Sequence, residues 1–235
     1  MSLKYILLDL DDTVYDFHKA EHVAISKTLT EFGIEPTESV VRRYSEINNA
    51  CWRMLEEGIM TREQILVERF RRLFAELSVE CDPDLVRISY EGNLSECAYM
   101  VDGAAELIDA LRGRYVLAIA SNGTARVQDR RIERGNIAPL FDYIFISERL
   151  GATKPSGRFF DLCLCAMGAE NRDEVLILGD SLSSDIKGGI GAGIHTCHYN
   201  PRGVEYTHII PEYSIRSLSE LHSVIEKING EGNND

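Results

Sequence analysis

Positive charge is scarce in this chain. Its 235 residues carry 25 lysines and arginines against 38 aspartates and glutamates, a formal net charge of −13. A protein that grips nucleic acid usually needs a basic face. No nucleic-acid polymer is therefore expected as a partner, and the same deficit disfavours anionic membranes. Long apolar runs are missing too: no segment approaches the roughly 20 apolar residues of a membrane-spanning helix. The first apolar run is short and stops in aspartates, which is not the pattern of a secretory signal. Tryptophan occurs once, at Trp52. The six cysteines (Cys51, Cys81, Cys97, Cys163, Cys165, Cys197) include no Cys-x-x-Cys pair and no zinc-ribbon spacing. They read as reduced, mostly buried thiols, and the expected location is cytoplasmic.

What is present is an apolar content of 44%, enough for a packed core. The length suits one large domain or two modest ones. The most informative stretch is Tyr5-Ile6-Leu7-Leu8-Asp9-Leu10-Asp11-Asp12-Thr13. An apolar run of strand type ends in three carboxylates within four residues. Like charges so close repel unless a cation sits among them. A hard cation such as Mg²⁺ prefers oxygen ligands. Strand ends are also where ligands bind in open α/β sheets.

Three later strand ends carry further polar chemistry. Val116–Ala120 runs into Ser121-Asn122-Gly123, and Ile144–Ser147 is followed by a short loop and Lys154-Pro155. Val175–Gly179 runs into Asp180-Ser181-Leu182-Ser183-Ser184-Asp185. Apolar strands followed by polar turns are common singly. Acid, hydroxyl, lysine and acid in this order are not.

From about residue 102 strand and helix signals alternate, which predicts a parallel sheet covered on both faces. Strands are predicted near 115–120, 143–146, 174–179, 194–199 and 207–210. Helices are predicted at 106–111, 124–135, 157–167, 184–192 and 217–228, with a polar frayed tail from Asn229. Residues 17–100 show helical periodicity alone. One helix stops at Gly33, a second runs from about Glu38 to Leu55, and a fourth opens near Asp82-Pro83. Thr61-x-Glu63-Gln64 opens the third with a capping-box-like pattern, read as offset by one residue.

The set Asp9-x-Asp11-x-Thr13, Ser121, Lys154 and Gly179-Asp180-x-x-x-x-Asp185 resembles the haloacid dehalogenase-like superfamily of phosphohydrolases. The resemblance spans residues 1 to about 200. It implies an α/β fold: a Rossmann-like parallel-sheet core at 1–16 and 101–235, with a four-helix-bundle cap inserted at 17–100. Hinges are then expected at Tyr15–His18 and Tyr99–Gly103, letting the cap close over a small substrate.

The resemblance implies a Mg²⁺-dependent phosphomonoesterase. Asp9 would be the nucleophile and Asp11 the general acid, then the general base. Asp9, the main-chain carbonyl of Asp11 and Asp180 would hold Mg²⁺, with Asp185 behind them. Ser121, Asn122 and Lys154 would bind the phosphate oxygens. Asp12 is read as a turn residue. Asp11 argues for phosphatase over dehalogenase chemistry.

A second resemblance lies in the cap. Asn48-Asn49-x-x-Trp52, Glu57-Gly58-x-x-Thr61 and Glu68-Arg69-Phe70 look like the bacterial pyrimidine 5′-nucleotidases. That implies hydrolysis of ribo- and deoxyribonucleoside monophosphates. Trp52 could stack on a base and Asn48 could read its edge, although packing between cap helices accounts equally well for Trp52. The alternatives are a phosphatase for phosphoglycolate, a sugar phosphate or an acylneuraminate phosphate, or a catalytically silent binding protein. The expected partner is a small phosphorylated metabolite, and the expected state a monomer or homodimer.

Other features read as structural. His18 and His22 share a helix face without a third ligand. His195 and His198 straddle Cys197, and their odd spacing puts them on opposite faces of a strand. Gly188-Gly189-Ile190-Gly191-Ala192-Gly193 lacks dinucleotide-loop spacing and suits close helix–strand packing.

Overall fold

A computed structural model describes residues 2–231. The chain opens with strand β1 (Tyr5–Leu8), followed by helices α1 (Phe17–Glu31), α2 (Glu38–Glu56), α3 (Arg62–Leu77) and α4 (Pro83–Ser95). Then come α5 (Ala104–Leu111), β2 (Val116–Ser121), α6 (Ala125–Arg134), β3 (Tyr143–Ile146), α7 (Ser147–Leu150) and α8 (Gly157–Met167). The remainder is β4 (Val175–Gly179), a π-helical turn (Leu182–Ile186), α9 (Lys187–Ala192), β5 (His195–Tyr199), β6 (Tyr213–Ile215) and α10 (Leu221–Glu231).

Among the described residues the strands form one six-stranded sheet, all parallel, in the order β3-β2-β1-β4-β5-β6. β1 lies between β2 and β4: Tyr5 is opposite both Val116 and Val175, and Leu8 opposite both Ile119 and Leu178. Ile6, Leu7, Leu8 and every residue of β4 are buried. A strand covered on both faces reads as a continuous apolar run, which makes these segments legible in sequence. Each Val, Leu or Ile side chain among them contributes about 1.5–3 kcal/mol on burial. The order reverses at β1, so the crevice beyond its carboxyl end is the natural ligand site of such a sheet.

Close packing explains the glycine run. A Cβ at Gly188 would sit 2.4 Å from the Phe160 ring. One at Gly189 would sit 2.7 Å from Ile177 and Thr196. α9 therefore lies against the sheet and α8 at a distance that only glycine permits.

The chain folds into two compact units. The α/β unit contains the described residues of Met1–Asp16, Met100–Ala125 and Asn136–Asp235, and the helical unit contains Phe17–Tyr99 and Arg126–Gly135. The second segment corrects the sequence-based expectation, which places α6 in the α/β core. Val127 packs in the same buried cluster as Ala24, Tyr44 and Phe70. Arg131, fully buried, donates from Nε to the carbonyl of Cys97 at 2.8 Å.

The helical unit is built around aromatic rings. Tyr44 stacks on Phe70 with centroids 5.4 Å apart, and Tyr90 meets both rings at 5.4 and 5.6 Å. Local chemistry sets the helix starts. Pro83 occupies the first turn of α4 behind the Asp82 cap, whose carboxylate accepts from Asp84 N at 2.9 Å. Thr61 caps α3 by accepting from Gln64 N at 3.4 Å, while Gln64 Oε1 accepts from Thr61 N at 2.8 Å. The capping box is thus in standard register and not offset by one.

Two further expectations are corrected. The last strand lies at Tyr213–Ile215, not at 207–210: Ile210 is largely exposed, and the pairing with β5 starts two residues beyond Pro211, which has no N–H to give. α10 continues through Asn229, whose side chain accepts from Leu3 N at 2.7 Å, so the expected fraying from 229 does not begin there. Residues 232–235 of that tail lie outside the described residues.

Candidate active site

Where β1 ends, Asp9 N donates to Leu178 O at 2.9 Å, tying the start of the acidic turn to β4. The chain then folds back tightly: Val14 N and Tyr15 N both donate to Leu10 O, at 3.0 and 2.7 Å. Asp12 takes the left-handed conformation, φ 57°, at the corner. Such a conformation is uncommon outside glycine, and Asp tolerates it better than most residues. It suits the turn role read from the sequence.

Lys154 is the centre of the site. It is 1% exposed, and its Nζ lies 2.5 Å from Asp9 Oδ1, 2.6 Å from Asp185 Oδ1 and 2.5 Å from the carbonyl of Ala120. An ammonium group has three protons, and three acceptors use them. Burial opposes the charge, yet the Asp185 and Asp9 carboxylates outweigh it, and the lysine is held above its ordinary range. Asp9 is 7% exposed. Desolvation raises its pKa well above the carboxylate range against the pull of Lys154, with Asp185 and Asp11 adding to the rise. Asp180 is raised likewise, by desolvation first and then by Asp9, Asp12 and Asp185.

Carboxylate oxygens of Asp9, Asp180 and Asp185 lie within 4.8 Å of one another. Three hard oxygen donors crowded together, with the ionisation of Asp9 and Asp180 opposed by burial and by their neighbours, are a donor set that fits a divalent cation such as Mg²⁺. The carboxylate of Asp11 lies outside this trio, which leaves its main-chain carbonyl as the atom to consider.

Asp185 has both oxygens engaged: Oδ1 accepts from Lys154 and Oδ2 from Ser181 N at 3.1 Å. It reaches them because position 179 is glycine. A Cβ there would stand 2.2 Å from Asp185 Oδ2. The π-helical turn is fastened by Ser181 Oγ, which accepts from Ser184 N at 3.2 Å.

Ser121, at the end of β2, is buried and accepts from Gly123 N at 3.1 Å. The side chain of Asn122 departs from the expected phosphate contact. Its Nδ2 donates to Lys154 O and its Oδ1 accepts from Lys154 N, both at 2.9 Å. Nδ2 also lies 3.3 Å from Ser184 Oγ. The amide therefore clamps the main chain of the lysine. This function is invisible in sequence, because the partners are 32 residues apart and no local pattern links them.

The two cap residues expected at a substrate pocket are placed differently. Asn48 is fully buried among the cap helices, where Nδ2 donates to Glu21 at 2.7 Å and Oδ1 accepts from Arg69 at 2.9 Å. That corrects its expected exposure to a base: a buried amide with a carboxylate and a guanidinium on either side belongs to the bundle's polar core. Trp52 is half-buried, packs against the bundle core and has the Arg62 guanidinium 5.7 Å from its ring centre.

Residues 3–193 match the family described as haloacid dehalogenase-like hydrolase. The chain belongs to that family of hydrolases. It is 37% identical to the HAD-hydrolase YfnB of Bacillus subtilis, with 94% of each chain covered. It is 34% identical to the pyrimidine 5′-nucleotidase PynA of Streptococcus pneumoniae, with 97% of each covered. Against the pyrimidine 5′-nucleotidase YjjG of Escherichia coli the identity is 30%, over 97% of this chain and all of that one. A crystal structure of YfnB bound to magnesium, which reveals interdomain movement in that protein, matches with a TM-score of 0.91 at 36% identity. The match covers 96% of this chain and 99% of that one. Among the described residues no helix is long and apolar enough to cross a membrane.

Proposed function

We propose that this hydrolase is a Mg²⁺-dependent phosphomonoesterase that works through an aspartyl phosphate on Asp9, with pyrimidine nucleoside monophosphates as its substrates. The observation that carries the chemistry is the buried Lys154 joined to both Asp9 and Asp185, with Asp180 in the same carboxylate cluster. The substrate reading rests on the two relatives named as pyrimidine 5′-nucleotidases over almost the whole chain.

In the first step an oxygen of Asp9 attacks phosphorus and the ester P–O bond breaks. The departing alkoxide takes the proton of Asp11. In the second step Asp11, now a carboxylate, takes a proton from water as the water oxygen attacks the same phosphorus. The acyl–phosphate bond breaks, inorganic phosphate leaves and Asp9 is regenerated. Lys154 keeps the nucleophilic carboxylate oriented, and Ser121 with neighbouring main-chain amides faces the phosphoryl oxygens. Asp9, Asp180 and the carbonyl of Asp11 would hold Mg²⁺, with Asp185 behind them; the ion supplies charge neutralisation for the phosphoryl group.

The test is phosphate release with Mg²⁺ and with EDTA across UMP, dUMP, dTMP, purine monophosphates, phosphoglycolate and hexose phosphates. Mg²⁺-dependent turnover concentrated on the pyrimidine nucleotides is expected. Turnover concentrated on phosphoglycolate or hexose phosphates would retain the chemistry and overturn the substrate.

A further inference from the structure

We propose that His198 is a positioning residue for Asp180, and that a one-way hydrogen-bond relay from Ser214 through Tyr206 holds it in that role. The proposal deepens the reading of Asp180 as a Mg²⁺ ligand and rests on it.

Parallel register places His198 of β5 opposite Gly179 of β4, so its ring stands beside the peptide where β4 enters the acidic turn. His198 Nε2 lies 2.8 Å from the carbonyl oxygen of Asp180. A carbonyl can only accept, so the ring proton sits on Nε2. His198 is 3% exposed. In the imidazole tautomer with its proton on Nε2, Nδ1 accepts, and Tyr206 Oη–H, 2.8 Å away, is placed to donate to it. The phenol has one proton, and it is now used. Ser214 Oγ, 2.6 Å from Tyr206 Oη, must therefore donate to it, and Asn200 Nδ2 donates as well at 3.1 Å. For the imidazole with its single proton on Nε2, the chain therefore runs Ser214 → Tyr206 → His198 → Asp180.

The loop that carries Tyr206 is itself pinned. Asn200 Oδ1 accepts from Val204 N at 2.7 Å and its Nδ2 donates to Val204 O at 2.9 Å. Rings of His198 and Tyr206 meet edge-on with centroids 5.5 Å apart. Asp180 follows a glycine whose lack of a side chain leaves the local backbone permissive. The hydrogen bond from His198 supplies the missing restraint and fixes the peptide plane from which the Asp180 carboxylate projects. Groups that orient a metal ligand typically alter affinity by about 10–100-fold when removed.

The test is titration calorimetry of the full-length protein with MgCl₂, on wild type, His198→Ala, His198→Gln and Tyr206→Phe, with thermal melts in EDTA as a folding control. His198→Ala is expected to bind Mg²⁺ about tenfold more weakly or worse. His198→Gln, which keeps an N–H donor on a side chain of similar reach, should recover most of the affinity. Tyr206→Phe, which leaves the imidazole but removes the partner of its Nδ1, should fall between them. A folded His198→Ala with wild-type affinity overturns the proposal. If that variant fails to fold, wild-type affinity in Tyr206→Phe overturns it instead. Absence of Mg²⁺ binding by the wild-type protein overturns the metal reading and this proposal together, an outcome distinct from an unchanged affinity.

Discussion

Lys154 Nζ stands 2.5 Å from Asp9 Oδ1, although 145 residues separate them in the chain. The pair is buried, and the lysine's two remaining protons go to Asp185 and to the carbonyl of Ala120. With all three protons committed, Lys154 holds the Asp9 carboxylate, the proposed nucleophile, in place; a phosphate oxygen would have to replace one of these acceptors. The sequence-based expectation is that Lys154 binds phosphate oxygens as a point charge; in this structure it fastens two carboxylates together.

Lys154→Ala leaves two carboxylates buried without their cation. Breaking a buried pair in this way costs about 3–5 kcal/mol of stability. Denaturant unfolding should show a loss of that size in the metal-free protein, and kcat should fall with it. A variant with unchanged stability would mean that the ion pair is not formed in solution.

Asp9 and Asp180 give the metal-free protein a definite pH response. Both have folded-state values raised above the unfolded carboxylate value near 4. A raised group binds more protons when folded, so its contribution is fully present below the unfolded value and is lost as pH rises through the folded one. In EDTA, Tm should therefore decline as pH rises from about 4 towards neutrality. A bound divalent cation offsets the repulsion, so the Tm increment from Mg²⁺ should grow across the same window. An increment that shrinks as pH rises would contradict this electrostatic account. Lys154, raised above its ordinary range, stays charged throughout and contributes no change there.

Gly179→Ala places a methyl group 2.2 Å from Asp185 Oδ2. Asp185 must move, and its contacts with Lys154 and Ser181 N move with it. Overpacking of this kind costs about 1–3 kcal/mol. The measured outcome should be a lower Tm together with a lower kcat; wild-type values for both would show that the glycine is not needed for the approach of Asp185.

Much of this site is legible in the sequence because its contributors end or follow apolar runs. Asp9 follows β1, Ser121 ends β2, Lys154 lies in the loop beyond β3, and Asp180 follows β4. Parallel strands buried on both faces announce themselves without reference to the rest of the chain. What escapes are pairings between distant side chains. Nothing near Asn122 signals that its amide will clamp Lys154, and nothing near Asn48 signals Glu21 and Arg69. α6 has an amphipathic pattern that suits packing against either unit, and Val127 in the helical unit's core together with Arg131 reaching Cys97 decides which. The Thr207–Ile210 run has strand-like residues, yet the ladder with β5 is made by Tyr213–Ile215. Propensity there is outweighed by sheet register.

Asp9→Asn keeps the side chain's shape and removes the proposed nucleophile. A loss of at least about 10⁴-fold in kcat is expected, the scale on which covalent catalysts lose activity when the nucleophile is removed. Circular dichroism should show an intact fold. Retained turnover in this variant would remove Asp9 from the reaction.

The most direct test follows the phosphoryl group itself. Asp11→Asn lacks the proposed base for water, so phosphate delivered from p-nitrophenyl phosphate, whose leaving group needs no acid, should accumulate on the enzyme. Acid quenching followed by peptide mass spectrometry should then find the added mass of one HPO₃ on the peptide containing Asp9, and on no other. Phosphate release by the wild type, with no phosphorylated Asp9 peptide in the variant under conditions where it still expels p-nitrophenolate, would contradict the aspartyl-phosphate mechanism.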